Sequence, residues 1–516
     1  MENRIIQVDN YGDFMNPETQ LAQLKSILNK YSDLVAAIGL LHWDLETQMP
    51  SGGSAGRGYQ LATLTHIAHE TFTSDQAGQL LEDLLPYAEQ LDPDSDDARI
   101  IQVTDRLYKK RARVPANLMA EIAKAASDAH QVWVRAREEA DFASFLPSLE
   151  TILSLKRQYA DHFRPFEHMY DPLLDDYEPG LKTADVQAIF SALRPRQVEL
   201  IRAISERQQV DDSFLHLHYD ESLQWKFGVE VISDYGYDWK HGRQDKSTHP
   251  FTQDIGIGDV RITTRVMDDY FPSAFFSTTH ESGHGIYAQG VDPNLDRTPL
   301  SKGASLAVHE SQSRMYENLI GRSRQFWSHY YPRLQEIFPD QLGDVATDEF
   351  YRAINKVEPS LIRVEADEAT YNMHIMLRLE LEIALIEGSL EVKDLPEAWH
   401  AGMQDYLGLA PPNDALGVLQ DVHWSQGYFG YFSTYALGNL ISAQLWEAME
   451  KDIPDVDAQI QRGDFKALTT WMREKVHHHG AKFKPQELIQ RVTGSKIDPD
   501  PYMRYLTQKY SEIYQL

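Results

Sequence analysis

The 516-residue sequence contains no cysteine, and this absence excludes several kinds of chemistry. Disulfide frameworks, thiolate zinc sites, cysteine-ligated iron–sulfur clusters and cysteine nucleophiles all require a thiol. Any metal ion bound by the chain must therefore be held mainly by histidine, aspartate or glutamate side chains.

Long apolar runs are also lacking. The longest uncharged apolar stretch, residues 34–43, is far shorter than the roughly 20 residues that a membrane-spanning helix needs. Residues 1–9 have neither a basic region nor a long apolar core, so we expect no signal peptide there. The sequence therefore predicts a cytoplasmic protein with no membrane partner.

Basic residues are few relative to acidic ones. The chain has 49 Lys and Arg against 78 Asp and Glu, a formal net charge of −29. Such a surface repels phosphate backbones, so we expect no nucleic-acid partner. Apolar residues at 42% and charged residues at 25% are typical of globular proteins and exclude a fibrous or disordered chain.

Apolar residues recur at steps of three and four along most of the chain, which is the spacing of a buried helix face. The clearest segments are residues 21–41, 118–140, 149–163, 186–204, 361–386 and 440–449. No internal repeat or low-complexity linker divides the chain. The sequence predicts a mainly α fold: one domain over 1–516, with an N-terminal helical lobe at about 1–250 and a second half at about 251–516 around a deep cleft.

Residues 259–266 break the helical pattern, because β-branched residues at 260, 262, 264 and 266 alternate with polar ones. This alternation predicts a strand with one buried face, in a small antiparallel β element. The strand could be purely structural, or it could be an edge strand that pairs with a peptide backbone.

The strongest local signal is HESGH at residues 280–284. Positions i and i+4 lie on one face of a helix, so His280 and His284 can bind the same cation. Glu281 then lies close enough to an activated water to act as its base without being a ligand. Gly283 and Gly285 are costly in a helix interior, and we expect them to allow close approach of a backbone or a ligand.

A catalytic zinc ion needs a third protein ligand, and a second predicted helix offers two candidates. Glu310 lies 310 − 284 = 26 residues after His284, and Glu317 is two turns further along the same face. His309 is a candidate for orienting a ligand or for an ordinary core position. The spacing alone leaves the choice between Glu310 and Glu317 open.

With these residues in view, the sequence resembles the carboxypeptidase Taq family of zinc metallocarboxypeptidases. Besides the zinc motif, four blocks match that family's motifs in order: residues 259–263, 309–312, 362–367 and 417–424. Outer segments at 41–44, 49–50, 177–180 and 501–502 are also similar, so the resemblance covers nearly the whole chain.

The resemblance implies a helical fold similar to neurolysin and angiotensin-converting enzyme, and usually a homodimer. It implies one zinc ion per chain, bound by His280, His284 and Glu310, with Glu281 as the catalytic base. Cobalt or manganese are possible substitutes for zinc. The implied reaction is hydrolysis of the C-terminal peptide bond of peptides, which releases single amino acids.

The reaction also requires oxyanion donors and a cation for the substrate carboxylate. We expect His423 and Tyr431 to stabilise the oxyanion, and Arg363 to bind the carboxylate in a planar, two-bonded geometry. Arg363 is predicted at the start of a helix, where Asp367 could orient it or simply pair with it. The remaining candidates for substrate contact are Arg261, Asp259 and Thr263.

Besides a helical interaction scaffold with no metal, two rival functions stay open at this stage. The same scaffold could carry a zinc oligopeptidase that cuts internal bonds, or a non-catalytic helical protein that binds peptides. The histidine run at 477–479 could suggest a second metal site. Adjacent histidines on a helix do not point the same way, so a helix C-terminus is the preferred interpretation.

Overall fold

The computed structural model describes residues 16–516, and the predicted lack of a signal peptide concerns residues outside this range. The described chain is mainly helical, as predicted. Among the described residues, every helix is too short or too polar to cross a bilayer.

The first nine helices precede a small sheet. They are α1 (Pro17–Thr47), α2 (Ser54–Phe72), α3 (Asp75–Ala88), α4 (Asp96–Arg113), α5 (Ala116–Glu139), α6 (Phe142–Asp161), α7 (Asp171–Leu174), α8 (Thr183–Ser205) and α9 (Glu221–Tyr235). The strands are β1 (Gly242–Lys246), β2 (Thr252–Gly256) and β3 (Asp259–Thr264).

The remaining helices follow the sheet. They are α10 (Phe271–Gln289), α11 (Leu306–Arg314), α12 (Arg324–Ile337), α13 (Pro339–Leu342), α14 (Thr347–Ala353), α15 (Tyr371–Glu387), α16 (Leu395–Leu407), α17 (Ser433–Asp452), α18 (Val456–Ile460), α19 (Lys466–Lys475), α20 (Pro485–Thr493) and α21 (Asp500–Tyr514).

The apolar faces of these helices form two hydrophobic clusters in the described part of the chain. The larger cluster takes side chains from residues 114–514 and surrounds α10, α11, α15 and α17. The smaller one joins α1, α3 and α4 to residues 291–300. The division into lobes at about residue 250 stays a prediction.

The predicted helix over residues 361–386 begins only at Tyr371, so the prediction is wrong for residues 361–370. The Asp367 carboxylate accepts hydrogen bonds from the backbone N–H groups of Ala369 and Thr370. A short side chain that binds the backbone in this way competes with helix formation. Arg363 consequently lies in a 3₁₀ turn, Arg363–Glu365, ahead of the helix.

The predicted strand at residue 259 is confirmed as β3, and the small sheet is mixed. The strand order is β1-β3-β2, with β3 parallel to β1 and antiparallel to β2. The expectation that this strand is an edge strand is wrong, because both of its sides are already paired. β2 is one of the two edge strands, and it is the one that contacts the candidate metal centre.

Two helices cover the two faces of the sheet. Ile262 on β3 packs toward α10, where a Cβ at Gly285 would lie 3.2 Å from it. On the other face Gln253 and Ile255 of β2 approach α1 at Gly39. The sheet is thus held between α1 and the helix that carries residues 280–284.

Candidate metal centre

Helix α10 carries His280, Glu281 and His284 and packs closely on α11. A Cβ at Gly283 would lie 2.6 Å from the Gln312 carbonyl oxygen and 2.7 Å from the Ser313 Cα. Only glycine allows the two backbones to approach this closely. The expected role of Gly283, close approach of another backbone, is confirmed.

Three ligand atoms converge between these helices. The Glu310 Oε2 atom lies 3.7 Å from His280 Nε2 and 3.6 Å from His284 Nε2, and the three atoms lie within 4.8 Å of one another. Tetrahedral coordination at roughly 2.0–2.1 Å separates ligand atoms by roughly 3.3–3.4 Å. The donor set and its spacing therefore fit a divalent metal ion.

Glu317, the competing candidate, lies behind a ligand and not among the three ligands. Its Oε2 atom is 2.8 Å from His280 Nδ1, so it orients that ring with Nε2 toward the centre. His309 has a similar position, with its Nδ1 atom 3.3 Å from His284 Nδ1.

Arg314 fixes both glutamates. Its Nε atom donates to Glu310 Oε1 at 2.7 Å and its Nη1 atom donates to Glu317 Oε2 at 3.1 Å. Burial acts to raise the pKa of Glu310, but the Arg314 guanidinium and the two histidines lower it well below the usual range. Sequence reasoning missed Arg314, although its i+4 spacing from Glu310 was a readable signal.

Glu281 lies beside the three ligands without joining them. The Thr252 hydroxyl on β2 donates to Glu281 Oε2 at 2.6 Å. This contact was missed, because nothing in the sequence marks residues 252–256 as a strand that reaches the metal motif. The small sheet therefore positions a catalytic candidate, although it supplies no ligand.

His423 and Tyr431 lie at the two ends of one loop, and the structure brings them together. Their ring centroids are 5.3 Å apart. Burial is the largest influence on the pKa of Tyr431 and raises it. Contact with Tyr435 lowers this pKa and the charge of Glu310 raises it, so that it is raised overall.

Glu382 anchors this loop and was also missed. Trp424 Nε1 donates to Glu382 Oε1 at 2.8 Å, and Gly430 N donates to Oε2 at 3.0 Å. The Tyr170 hydroxyl donates to the same carboxylate. Trp424 and Gly430 therefore hold the segments next to His423 and Tyr431 on α15, and Tyr170 joins the region before α7 to the same carboxylate.

Arg363 pairs with Asp421, and the expected Arg363–Asp367 pair is wrong. Arg363 Nε donates to Asp421 Oδ1 at 2.9 Å, and Arg378 Nε donates to Asp421 Oδ2 at 2.6 Å. Arg363 Nη1 also donates to the Tyr371 hydroxyl at 3.0 Å. Asp367 is used instead to cap the start of α15. The reason is the irregular turn that separates residues 363 and 367.

The buried arginine pair, Arg363 and Arg378, shares this one carboxylate. The cluster therefore holds one positive charge in excess, and both guanidinium groups are buried. His374 adds no charge there, because burial lowers the pKa of its imidazole well below the usual value.

The structure does not bring the other substrate-contact candidates to the metal centre. Arg261 donates two hydrogen bonds to Asp259, at 2.7 and 2.8 Å, and lies over Trp43 on the α1 side of the sheet. The Thr263 hydroxyl is buried and bonded to Ser247 and to the backbone of Phe251.

The histidine run does not form a metal site. His477 is buried in a 3₁₀ turn after α19, with its Nε2 atom 2.8 Å from Gln312 Oε1, and burial lowers its pKa to about 3. The cluster of His280, His284 and Glu310 is the single group of three or more candidate ligands within residues 16–516.

Comparisons with known proteins agree with this geometry. A family profile described as carboxypeptidase Taq (M32) metallopeptidase matches residues 23–510. Thermostable carboxypeptidase 1 of Thermus thermophilus is 40% identical over 97% of this chain and 100% of its own length. Carboxypeptidase 1 of Bacillus subtilis is 38% identical over 97% of this chain and all of its own. A crystal structure of an M32 carboxypeptidase from Deinococcus radiodurans is 40% identical, covers 96% of this chain and 100% of that one, and gives a TM-score of 0.94.

Proposed function

This chain belongs to the carboxypeptidase Taq (M32) metallopeptidase family, and from that premise we propose how its own residues release C-terminal amino acids from peptides. The chain is a metallocarboxypeptidase. The observation that carries the proposal is the convergence of His280, His284 and Glu310 beside an uncoordinated Glu281.

We propose one zinc ion per chain, held by His280 Nε2, His284 Nε2 and Glu310 Oε2. Two imidazoles and one carboxylate are a frequent donor set of catalytic zinc sites, and cobalt or manganese are candidate substitutes. When bound, such an ion polarises a scissile carbonyl and lowers the pKa of water.

Glu281 acts as the general base in this proposal. Its carboxylate takes a proton from the attacking water and later gives it to the leaving amine. Thr252 supports this role because its hydroxyl donates to Oε2 and fixes the carboxylate without neutralising it.

Tyr431 and His423 donate hydrogen bonds to the oxyanion that develops on the scissile carbonyl. The pKa of the Tyr431 phenol is raised, chiefly by burial, so the group keeps its proton at neutral pH. Burial lowers the pKa of His423 to about 4, so its ring is neutral there. Its Nδ1 atom is buried and has no hydrogen-bond partner among residues 16–516.

Arg363 binds the substrate's free carboxylate. A buried positive charge without a counter-ion is costly, and the arginine pair has one such charge in excess. A carboxylate from the substrate would neutralise it. Arg261 is less suited to this role, because its Nε and Nη2 atoms already donate to the Asp259 carboxylate, which neutralises its charge.

We also propose a cytoplasmic homodimer, which rests on the family resemblance. Sedimentation of the purified protein tests the dimer: a species of twice the 59.2 kDa chain mass is expected, and a monomer at micromolar concentration contradicts it.

The decisive experiment uses one N-acetylated tripeptide with either a free or an amidated C-terminus. We expect release of the C-terminal amino acid from the free acid only, lost with a chelator and restored by zinc. Arg363→Gln should reduce hydrolysis of the acid toward that of the amide, whereas Arg261→Gln should keep the discrimination. Equal cleavage of the acid and the amide by the wild type would favour an oligopeptidase. If neither peptide is cleaved, a peptide-binding protein would be favoured.

A further inference from the structure

A cavity lies outside the metal centre. It has a volume of about 720 Å³ and is bounded by α1, α4, the β2–β3 turn and the segments 296–304 and 481–487. None of the three metal-ligating side chains lines it. The mechanism above gives this cavity no role.

Strand β2 connects the cavity to the catalytic glutamate. At its start Thr252 bonds the Glu281 carboxylate, and at its end Gly256 lies in the cavity wall. Four residues of strand span roughly 13 Å. Lys302, also in the wall, donates to the Asp254 carboxylate in the middle of the strand. A peptide that extends along β2 away from the metal centre would therefore reach the cavity.

Such a path is expected for a carboxypeptidase substrate. Only the last residue lies beyond the scissile bond, so the remainder of the peptide must leave on the other side of the metal centre. β2 has β3 on one side and is an edge of the described sheet, and an edge strand offers backbone groups to an extended chain. Helix α1 approaches one face of β2 at Gly39, and α10 contacts the other through the Thr252–Glu281 hydrogen bond.

The cavity walls combine aromatic and cationic groups. The Arg111 guanidinium lies 4.3 Å from the centroid of Phe72 and 5.1 Å from that of Tyr31. Neither Arg111 nor Lys484 has a carboxylate partner within residues 16–516, in contrast to the other cations of the wall. Those are paired as follows: Arg99 with Asp94 and Glu487, Arg106 with Asp175, Arg297 with Asp33, Lys302 with Asp254 and Lys482 with Asp96.

Two unpaired cations in one cavity are notable on a chain with a net charge of −29. Asp296 is the single wall carboxylate without an ion-pair partner among residues 16–516, so unpaired cations outnumber unpaired carboxylates in the cavity, on a surface that otherwise repels acidic peptides. We propose that this cavity is an upstream subsite for longer peptide substrates, selecting an acidic side chain four to six residues N-terminal to the scissile bond. The inference rests on the proposed function and names a substrate preference for it.

The test compares N-acetylated heptapeptides that carry Glu, Gln or Lys at the fifth residue before the scissile bond. An N-acetylated dipeptide with the same C-terminal residues serves as the short reference. At low ionic strength we expect the wild type to prefer Glu to Lys by about 5- to 30-fold in kcat/KM, mainly through KM, because two partly exposed ion pairs contribute. High salt should weaken the preference.

The variant R111Q/K484Q should lose this preference to within about twofold and still cleave the dipeptide at the wild-type rate. K124Q/R164Q is the matched control, since it removes two exposed cations that lie outside the cavity and are paired with Asp128 and Asp161. This control should keep the preference.

Equal cleavage of the Glu and Lys heptapeptides by the wild type would overturn the subsite, as would an unchanged preference in R111Q/K484Q or an equal loss in the control. In each of these cases the dipeptide would still be cleaved. Failure to cleave the dipeptide would instead contradict the proposed function itself.

Discussion

At the scale of single residues, two buried glutamates in one site have different surroundings. Glu310 accepts a charged hydrogen bond from Arg314, which holds it as an anion. Glu281 accepts a neutral one from the Thr252 hydroxyl. A carboxylate with a fixed cationic partner suits metal binding, whereas one with a neutral hydroxyl partner is held in place without an ion pair. Environment separates the two roles.

Glu281→Gln tests this separation. The amide keeps the shape of the side chain but cannot accept a proton from water. We expect kcat to fall by about 10²- to 10⁴-fold, which is the usual contribution of a general base. Metal content by elemental analysis should stay at the wild-type level, because Glu281 is not a ligand.

Glu310→Gln is the matched control, since it makes the same chemical change one helix away. It should lose activity together with metal. A Glu281→Gln enzyme that hydrolyses peptides at the wild-type rate would contradict the proposed role of Glu281.

At the scale of elements, the irregular segments place the candidate groups on the helical framework. The 423–431 loop holds His423 and Tyr431, and its left-handed Gly430 lies against the Leu173 carbonyl oxygen, where a Cβ would approach to 2.3 Å. Glu382 then binds the loop at Trp424 and at Gly430. One buried carboxylate therefore sets the spacing of two proposed oxyanion donors.

Glu382→Ala should disconnect this loop from α15. Three donors would lose their shared acceptor, and each buried unsatisfied group costs about 1–3 kcal/mol. We expect kcat to fall by at least about 10-fold while zinc affinity, measured by competition with a chelator, stays within about threefold. Glu382→Gln, which keeps two acceptor positions on its oxygen, should recover part of kcat. Equal loss of kcat and zinc affinity would indicate general unfolding instead of loop positioning.

The same scale shows what the sequence could predict. Strong apolar periodicity correctly indicated α1, α5, α6, α8 and α17, because burial of one helix face is a local property of the sequence. β2 lacks that signal, and its pairing with β3 is a tertiary contact.

The choice between Glu310 and Glu317 also required the structure. Both lie on one predicted helix, but a π-helical turn over Met315–Ile320 follows α11 and changes the direction of Glu317. Glu317 then contacts the Nδ1 atom of His280. Arg363 and Asp421 are 58 residues apart in the sequence, and the fold brings them together as well. Spacing along the sequence carries no information about such contacts.

At the scale of the whole molecule, several buried carboxyl groups that are not metal ligands hold protons more tightly than usual. Burial raises the pKa of Glu178 to about 8 and that of Asp367 to about 6. In the unfolded chain these groups ionise near pH 4. Between pH 4 and their folded pKa values, these two groups therefore bind more protons in the folded protein than in the unfolded chain, and the stability that they contribute falls as the pH rises through this range.

Glu178 is the clearest test of this dependence. Its carboxyl group connects the N-terminal half to α11, because Oε1 accepts a 2.6 Å hydrogen bond from the Ala307 N–H, while Oε2 has no partner among the described residues. With a folded pKa of about 8 against 4.5, the group should contribute roughly 4–5 kcal/mol of stability that is present below pH 4.5 and lost as the pH passes 8. Glu178→Gln cannot ionise, so its free energy of unfolding, from urea titrations at pH 5, 6, 7 and 8, should fall less steeply than that of the wild type. The exposed Glu167→Gln is the control and should follow the wild-type slope, whereas parallel curves for Glu178→Gln and the wild type would mean that Glu178 is already ionised in the folded protein.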